Sequence, residues 1–449
     1  MKKSLPALRA PLRLTLLLLL IVLGLSLPAV ESVVAEEEGS HRLYLPAVKR
    51  GKIVELRALW VTRFDWTSWS RPADPAVIDT IVEDAEAAGF NAIFFQVRGT
   101  GDAFYRPGPE PWAARVSGEA LGVPPPDDWD PLAYFISRAH ERGLQLHSYI
   151  NVYPVWDNCD SAPPEDASPT HLYYKLRDAH GVTRVVDEPD ERLNGLQWNT
   201  NGDVHCSDYQ RATPASIFVD NHLMEVATYL VSNYDLDGLH LDHIRYGGGG
   251  TSCDPVSMVR WGGPCFSGAY ADWQRQQVSG TVARFYEEVV PLGSDLMLSA
   301  AVWPIYRDIW GWGVSGGYDR YYQDSKGWME AGTIHAIMPM IYPAFYEECM
   351  EKREWWSRER WQTLVADFQM DSYGRLVVPG IGSDTCSFEE IEARIQMARE
   401  LGTGGHALFS YSALARRDYF DDLAAGPYAL VAEPPSLPPD AAPELSSDK

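Results

Sequence analysis

The chain has 449 residues, 45% hydrophobic and 22% charged, a globular composition that excludes a mostly disordered or polytopic membrane protein. With 38 Lys+Arg against 62 Asp+Glu, the formal net charge is −24. This argues against nucleic acid or an anionic membrane as the main partner, because both are repelled.

The N-terminus carries Lys2, Lys3, Arg9 and Arg13, then the apolar run Leu14 to Leu27, then Val33-Val34-Ala35 ahead of Glu36-Glu37-Glu38. The pattern predicts a secretory signal peptide over residues 1–35 and a secreted or cell-surface protein. An uncleaved anchor is the alternative, although the apolar run is short for a membrane span. Residues 36–53 read as a polar lead-in, 54–430 as the folded domain, and 431–449 as a Pro- and acid-rich tail expected to be disordered.

Eight apolar, β-branched or aromatic runs predict strands: Leu56–Thr62, Ala92–Val97, Leu144–Ile150, Gly238–Leu241, Leu296–Val302, Ile334–Ile341, Leu376–Ile381 and Ala407–Tyr411. Helical patterns lie between them at Ala76–Ala88, Asp130–Arg142, Ile217–Asn233, Trp273–Val290 and Phe388–Leu401. Strand–helix alternation repeated eight times predicts an α/β fold, a (β/α)8 TIM barrel with long loops at the C-terminal face of the strands. A doubly wound open sheet competes, but no GxGxxG follows the first strand. In such a barrel the site lies at the strand ends, which carry carboxylates, Arg and aromatic residues but no Ser or Cys nucleophile paired with His. The 16 Trp and 23 Tyr suit stacking on sugar rings, with core packing taking most of them.

Glu55-Leu56-Arg57-Ala58-Leu59-Trp60-Val61-Thr62, then Phe95-Gln96-Val97-Arg98-Gly99, Glu110-Pro111-Trp112 and Asn151-Val152-Tyr153-Pro154 form a recognisable set. With Tyr234-Asp235-Leu236-Asp237-Gly238-Leu239-His240-Leu241-Asp242-His243-Ile244-Arg245-Tyr246, Met338-Pro339-Met340-Ile341-Tyr342 and Phe409-Ser410-Tyr411, the chain resembles the bacterial glycosyl hydrolase-like 10, or YngK-like, family. The resemblance spans roughly residues 54–425 and implies a (β/α)8 barrel that hydrolyses the O-glycosidic bonds of a polysaccharide. The chain departs from its relatives at His243, His335 and Gly247–Gly250.

Glycoside cleavage needs two carboxyl groups, one ionised and one protonated. Asp242 is expected to be the ionised one. It ends strand four, and Gly238-x-His240-x-Asp242 has the spacing of the nucleophile strand in amylase-type barrels. Arg245 is placed to hold it ionised. The proton donor is left open among Asp102, Glu347, Asp384 and Asp65, each of which follows a strand. Asp65, Arg98, His147, Asn151, Tyr153, His240, Arg245, Trp303 and Tyr342 are expected to contact the substrate, a polysaccharide or oligosaccharide, with Trp303, Trp310 and Trp312 as a sugar platform. The six cysteines read as disulfides in an exported chain, with Cys159–Cys206, Cys253–Cys265 and Cys349–Cys386 as the favoured pairing. No cofactor and no metal are expected, and the chain is expected to be a monomer. The competing readings are a non-catalytic carbohydrate-binding barrel and a metal-dependent hydrolase using His147, His240 and Asp242.

Overall fold

The computed structural model describes residues 53–179, 195–342, 357–384 and 387–439. Eight parallel strands form the barrel: β1 Leu56–Val61, β2 Ala92–Arg98, β3 Gln145–Asn151, β4 Gly238–Asp242, β5 Met297–Val302, β6 Ala336–Pro339, β7 in two pieces (Leu376–Val377 and Gly380–Gly382), and β8 Gly405–Phe409. Neighbours pair in chain order, from β6–β5 through β1 to β8. The two pieces of β7 close the ring. The first pairs with β6 and the second with β8. Pro379 between them donates no hydrogen bond, but its carbonyl accepts from the Ala407 N–H at 3.1 Å, and the Val377 carbonyl accepts from Gly404 N–H at 3.0 Å. The seventh strand, expected to be continuous, is therefore split at its proline.

Alternation along each strand sorts the side chains. Leu56, Ala58, Trp60, Ala92, Phe94, Tyr149, Met297, Ala336, Met338, Leu376, Val378 and Ala407 pack together in one cluster, while Leu59, Val61, Ile93 and Phe95 join a larger cluster with the surrounding helices. The first are the barrel filling and the second the seam under the helices. Gly238 is required here. A Cβ on it would stand 2.0 Å from His147 Nδ1, so only glycine leaves room for the imidazole stacked on Phe94 at 4.4 Å.

The main outer helices are α1 Pro75–Ala88, α2 Pro131–His140, α3 Ile217–Asn233, α4 Tyr270–Arg284, α5 Ser325–Glu330, α6 Arg358–Met370, α7 Phe388–Glu400 and α8 Tyr411–Arg417. Their starts are written locally: the Asp74 side chain accepts from Ala76 N–H, Asp130 from Leu132 and Ala133, and Ser216 from Val219. Gly89 ends α1 in the left-handed region at φ 87°.

Long connections follow β3 and β4. The first contains the antiparallel pair Pro154–Trp156 with Gln210–Arg211 and the Cys159–Cys206 disulfide; the second holds Cys253–Cys265. Both bonds match the expected pairing; Cys349 and Cys386, like Glu347, residues 1–52 and residues 440–449, lie outside the described residues. One expectation is corrected. The start of the tail is not disordered: Ala432–Glu433 pairs with Ile53–Val54 in parallel, Arg375 donates to the Pro439 carbonyl at 2.9 Å, and Leu437 packs on the barrel filling. Its prolines forbid a helix but permit an extended strap.

Candidate active site

The C-terminal ends of β1, β3 and β4 bring the polar residues together above an aromatic floor. Trp60 meets Phe94, His240, Tyr342 and Phe409 edge-on at 5.9–6.5 Å, and Tyr342 stacks on Phe409 at 5.0 Å. Asp242 lies in register with Asn151 on β3. Its side chain is 23% exposed, accepts the His243 N–H at 2.6 Å, and stands 3.6 Å from Arg245 Nη1. His243 turns the chain with φ 50°, and this left-handed turn aims its N–H back at the carboxylate. Burial, then Arg245, Arg211 and Arg63, push the His243 imidazole well below its usual range, so it is neutral. The Asn151 Oδ1 is buried without a hydrogen-bond partner among the described residues. Such an acceptor costs about 1–3 kcal/mol unless something donates to it.

Tyr149 shares the face of β3 that carries Asn151, its ring 6.1 Å from that of His240. Burial first, then the charges of Asp242 and Asp65, raise its phenol well above the usual range. Asp65 sits on the one-turn helix Arg63–Trp66 after β1, where its carboxylate accepts from Thr62 N–H at 2.5 Å. Burial raises its carboxyl despite hydrogen bonds from Ser412 and Thr62. Asp102 follows β2 and accepts from Thr100 N–H at 2.7 Å and Gly99 N–H at 3.2 Å. Burial raises this carboxyl too, outweighing the Thr100 N–H and the Arg63 charge. Arg63 donates to Tyr209 OH at 3.2 Å, and the Tyr209 ring meets His243 at 5.2 Å. On the β5 side Trp303 lies 4.0 Å from Tyr321 and 5.8 Å from the Arg245 guanidinium. Trp310 and Trp312 stack on each other at 4.6 Å further along the same loop.

Four expected substrate contacts are corrected. Arg98 is fully buried and locked to Glu110 by two 2.8 Å bonds, because a register shift between Gln96 and Arg98 turns it away from the mouth. Tyr153 is fully buried, leaves the strand direction and donates to Thr281 on α4 at 3.0 Å. His147 and His240 are fully buried inside the barrel, the second bonded to Ser299 at 2.8 Å. Burial lowers them to about 4 and about 3, so both are neutral. Among the described residues no group of three His, Cys, Asp or Glu is arranged to hold a metal ion. Asp384 is bound through both oxygens by Arg416 at 2.9 and 3.0 Å. Tyr149 and Tyr209 were not singled out from the sequence; alternation on β3 would have found Tyr149, whereas no pattern marks Tyr209.

The profile of the family described as glycosyl hydrolase-like 10 matches residues 55–368. The chain is 27% identical over 385 residues to glycosyl hydrolase DigH of Escherichia coli (strain K12), covering 78% of this chain and 79% of that protein. It is 26% identical over 327 residues to glycosyl hydrolase YngK of Bacillus subtilis (strain 168), covering 68% of this chain and 58% of that one. Among solved structures, the PgaB (BpsB) glycoside hydrolase domain from Bordetella bronchiseptica matches with a TM-score of 0.54 at 15% identity, over 82% of this chain and 98% of that one. Alpha-L-fucosidase isoenzyme 2 from Paenibacillus thiaminolyticus matches with a TM-score of 0.52 at 15% identity, over 84% of this chain and 49% of that one. At these identities the two structures speak to the barrel fold alone.

Proposed function

The chain belongs to the glycosyl hydrolase-like 10 family, and on that premise we propose that it is an exported glycoside hydrolase cleaving the O-glycosidic bonds of a polysaccharide. The observation that carries the reading is Asp242. It is a partly exposed carboxylate at the end of β4, fixed by the His243 N–H and faced by Arg245, above a floor of aromatic rings. In this reading it serves as a nucleophile at the anomeric carbon or as a base for water. Asp102 is the proton donor in this reading, since burial keeps its carboxyl protonated to higher pH than usual. Asn151 Oδ1 accepts a sugar hydroxyl, and Tyr342 and Trp303 wall the site. Export is supported by the two disulfides; no helix among the described residues is long and apolar enough to cross a membrane.

The test is reducing-sugar release by the purified full chain from a panel of bacterial and plant polysaccharides, with wild type beside Asp242→Asn. Turnover lost by at least about a thousand-fold in the variant is expected. No turnover by wild type, or equal turnover in both, overturns the reading. Binding without cleavage by wild type would point instead to a non-catalytic carbohydrate-binding barrel.

A further inference from the structure

Two aromatic side chains stand out on the loop after β1. Phe64 is 56% and Trp69 62% exposed, although large rings ordinarily contribute by burial. Both are mounted on a fixed base. The Arg115 guanidinium lies 4.9 Å from the Phe64 ring centre and 4.7 Å from that of Trp69. Arg115 is itself buried and held by Thr67, through Nε to Oγ1 and Nη2 to the carbonyl, both at 2.9 Å. A second guanidinium, Arg63, lies 4.3 Å over Phe64. Rings held this way lose little freedom when something stacks on them.

Their position is informative. Arg63, which covers Phe64, also donates to Tyr209 OH at 3.2 Å, and the Tyr209 ring meets that of His243, next to Asp242, at 5.2 Å, which puts the rings at the rim of the candidate site. Beside them, between the N-terminal ends of α1 and α2, a cleft of about 720 Å³ is bounded by Phe64, Asp65, Arg71 and Trp129. Asp65 lines this cleft and lies beside Phe64 on the one-turn helix that follows β1. Across the barrel, four strands from β1, β5 carries Trp303 with Tyr321 against Arg245. Aromatic surfaces therefore stand on opposite sides of the mouth, with Asp242 between them.

We propose that Phe64 and Trp69 form an outlying subsite for a pyranose ring of the same glycan chain, so that the polymer is gripped on both sides of Asp242 and cut internally rather than from its end. This rests on the glycoside hydrolase reading and extends it. The occupant is a sugar unit because the exposed ring faces offer apolar stacking, while Asp65, Arg71 and Asp127 around the cleft supply partners for hydroxyls.

The test uses the full chain carrying Asp242→Asn, run in native gels containing glycol chitin, soluble xylan, hydroxyethyl cellulose or hyaluronan, and wild type digesting the same polymers. On a polymer that retards Asp242→Asn, adding Phe64→Ala and Trp69→Ala weakens binding by about ten-fold, Trp69→Tyr restores most of it, and early digests by wild type contain long fragments. Unchanged retardation in the combined variant, or early digests of only mono- and disaccharides, overturns the subsite while the hydrolase reading stands. If no polymer retards Asp242→Asn and none is cut by wild type, the hydrolase reading fails and the subsite with it. Because both rings are exposed, the melting temperature of the combined variant stays near that of its parent; a large fall, with Trp69→Tyr not restoring binding, assigns the rings to the fold and also overturns the proposal.

Discussion

Replacing Arg98 with methionine keeps length and apolar bulk but removes a charge from one of the most enclosed places in the barrel. The guanidinium gives two bonds to Glu110 at 2.8 Å, one to the Asn151 carbonyl, one to the Val152 carbonyl at 3.1 Å and one to that of Pro154 at 3.4 Å. Without it, Glu110 keeps His222 at 2.9 Å as its partner. Stranding a buried charge costs about 3–5 kcal/mol, and each carbonyl left bare adds about 1 kcal/mol or more. A loss of at least about 4 kcal/mol is a large share of the 5–15 kcal/mol of a typical fold. Removing both charges in Arg98→Met/Glu110→Leu should recover most of the carboxylate's part. The pH dependence has a definite sign. In the wild type, burial raises Glu110 but Arg98 and His222 hold it well below the usual range, so its stabilisation is present above the unfolded value near 4.3 and is lost as pH falls through the lower folded value. In Arg98→Met burial prevails and the folded value moves above the unfolded one, so the deficit is greatest at pH 8 and shrinks towards pH 5. Urea unfolding followed by tryptophan fluorescence at both pH values measures this. Arg98→Met as stable as wild type but inactive on glycan would mean that Arg98 binds substrate, and would refute the reasoning.

Gly238→Ala places a methyl group 2.0 Å from His147 Nδ1 and should cost about 1–3 kcal/mol or more by overpacking; thermal unfolding checks it, and a shift near zero is the contrary result. Opening Cys253–Cys265, which are 12 residues apart, should cost about 3 kcal/mol, and opening Cys159–Cys206, 47 apart, about 4 kcal/mol, read from denaturation of Cys→Ser variants. Activity should fall on the alkaline side as the raised Asp102 carboxyl loses its proton. Asp102→Asn should impair poor leaving groups far more than activated aryl glycosides, seen in kcat/KM against pH for both. Leu437→Ala, at the half-buried strap residue, should cost about 1–2 kcal/mol, below the range for a fully enclosed leucine.

Seven of the eight strands were legible because buried parallel strands read as unbroken apolar runs; the seventh divides at Pro379, whose missing N–H is visible in sequence but whose effect on pairing is not. Asp242 and Arg245 were legible together because they lie three residues apart. Arg98 misled because strand-end position alone points it at the mouth. Its partner Glu110, and His222 that bonds Glu110 in turn, come from other segments, and a register shift leaves no mark in composition. Tyr153 misled in the same way, chosen for its place just after a strand that ends at Asn151. Tyr209 and Trp69 belong to loops whose placement depends on distant contacts, and local pattern carries no information about those.

The pairing of Ile53–Val54 with Ala432–Glu433 brings both ends of the folded domain to the pole opposite Asp242. A module fused directly to the described residues at either end therefore starts from the face away from Asp242. Tethering and access to a bulky, immobile glycan are then geometrically compatible, and fusions made at either end should spare the opening.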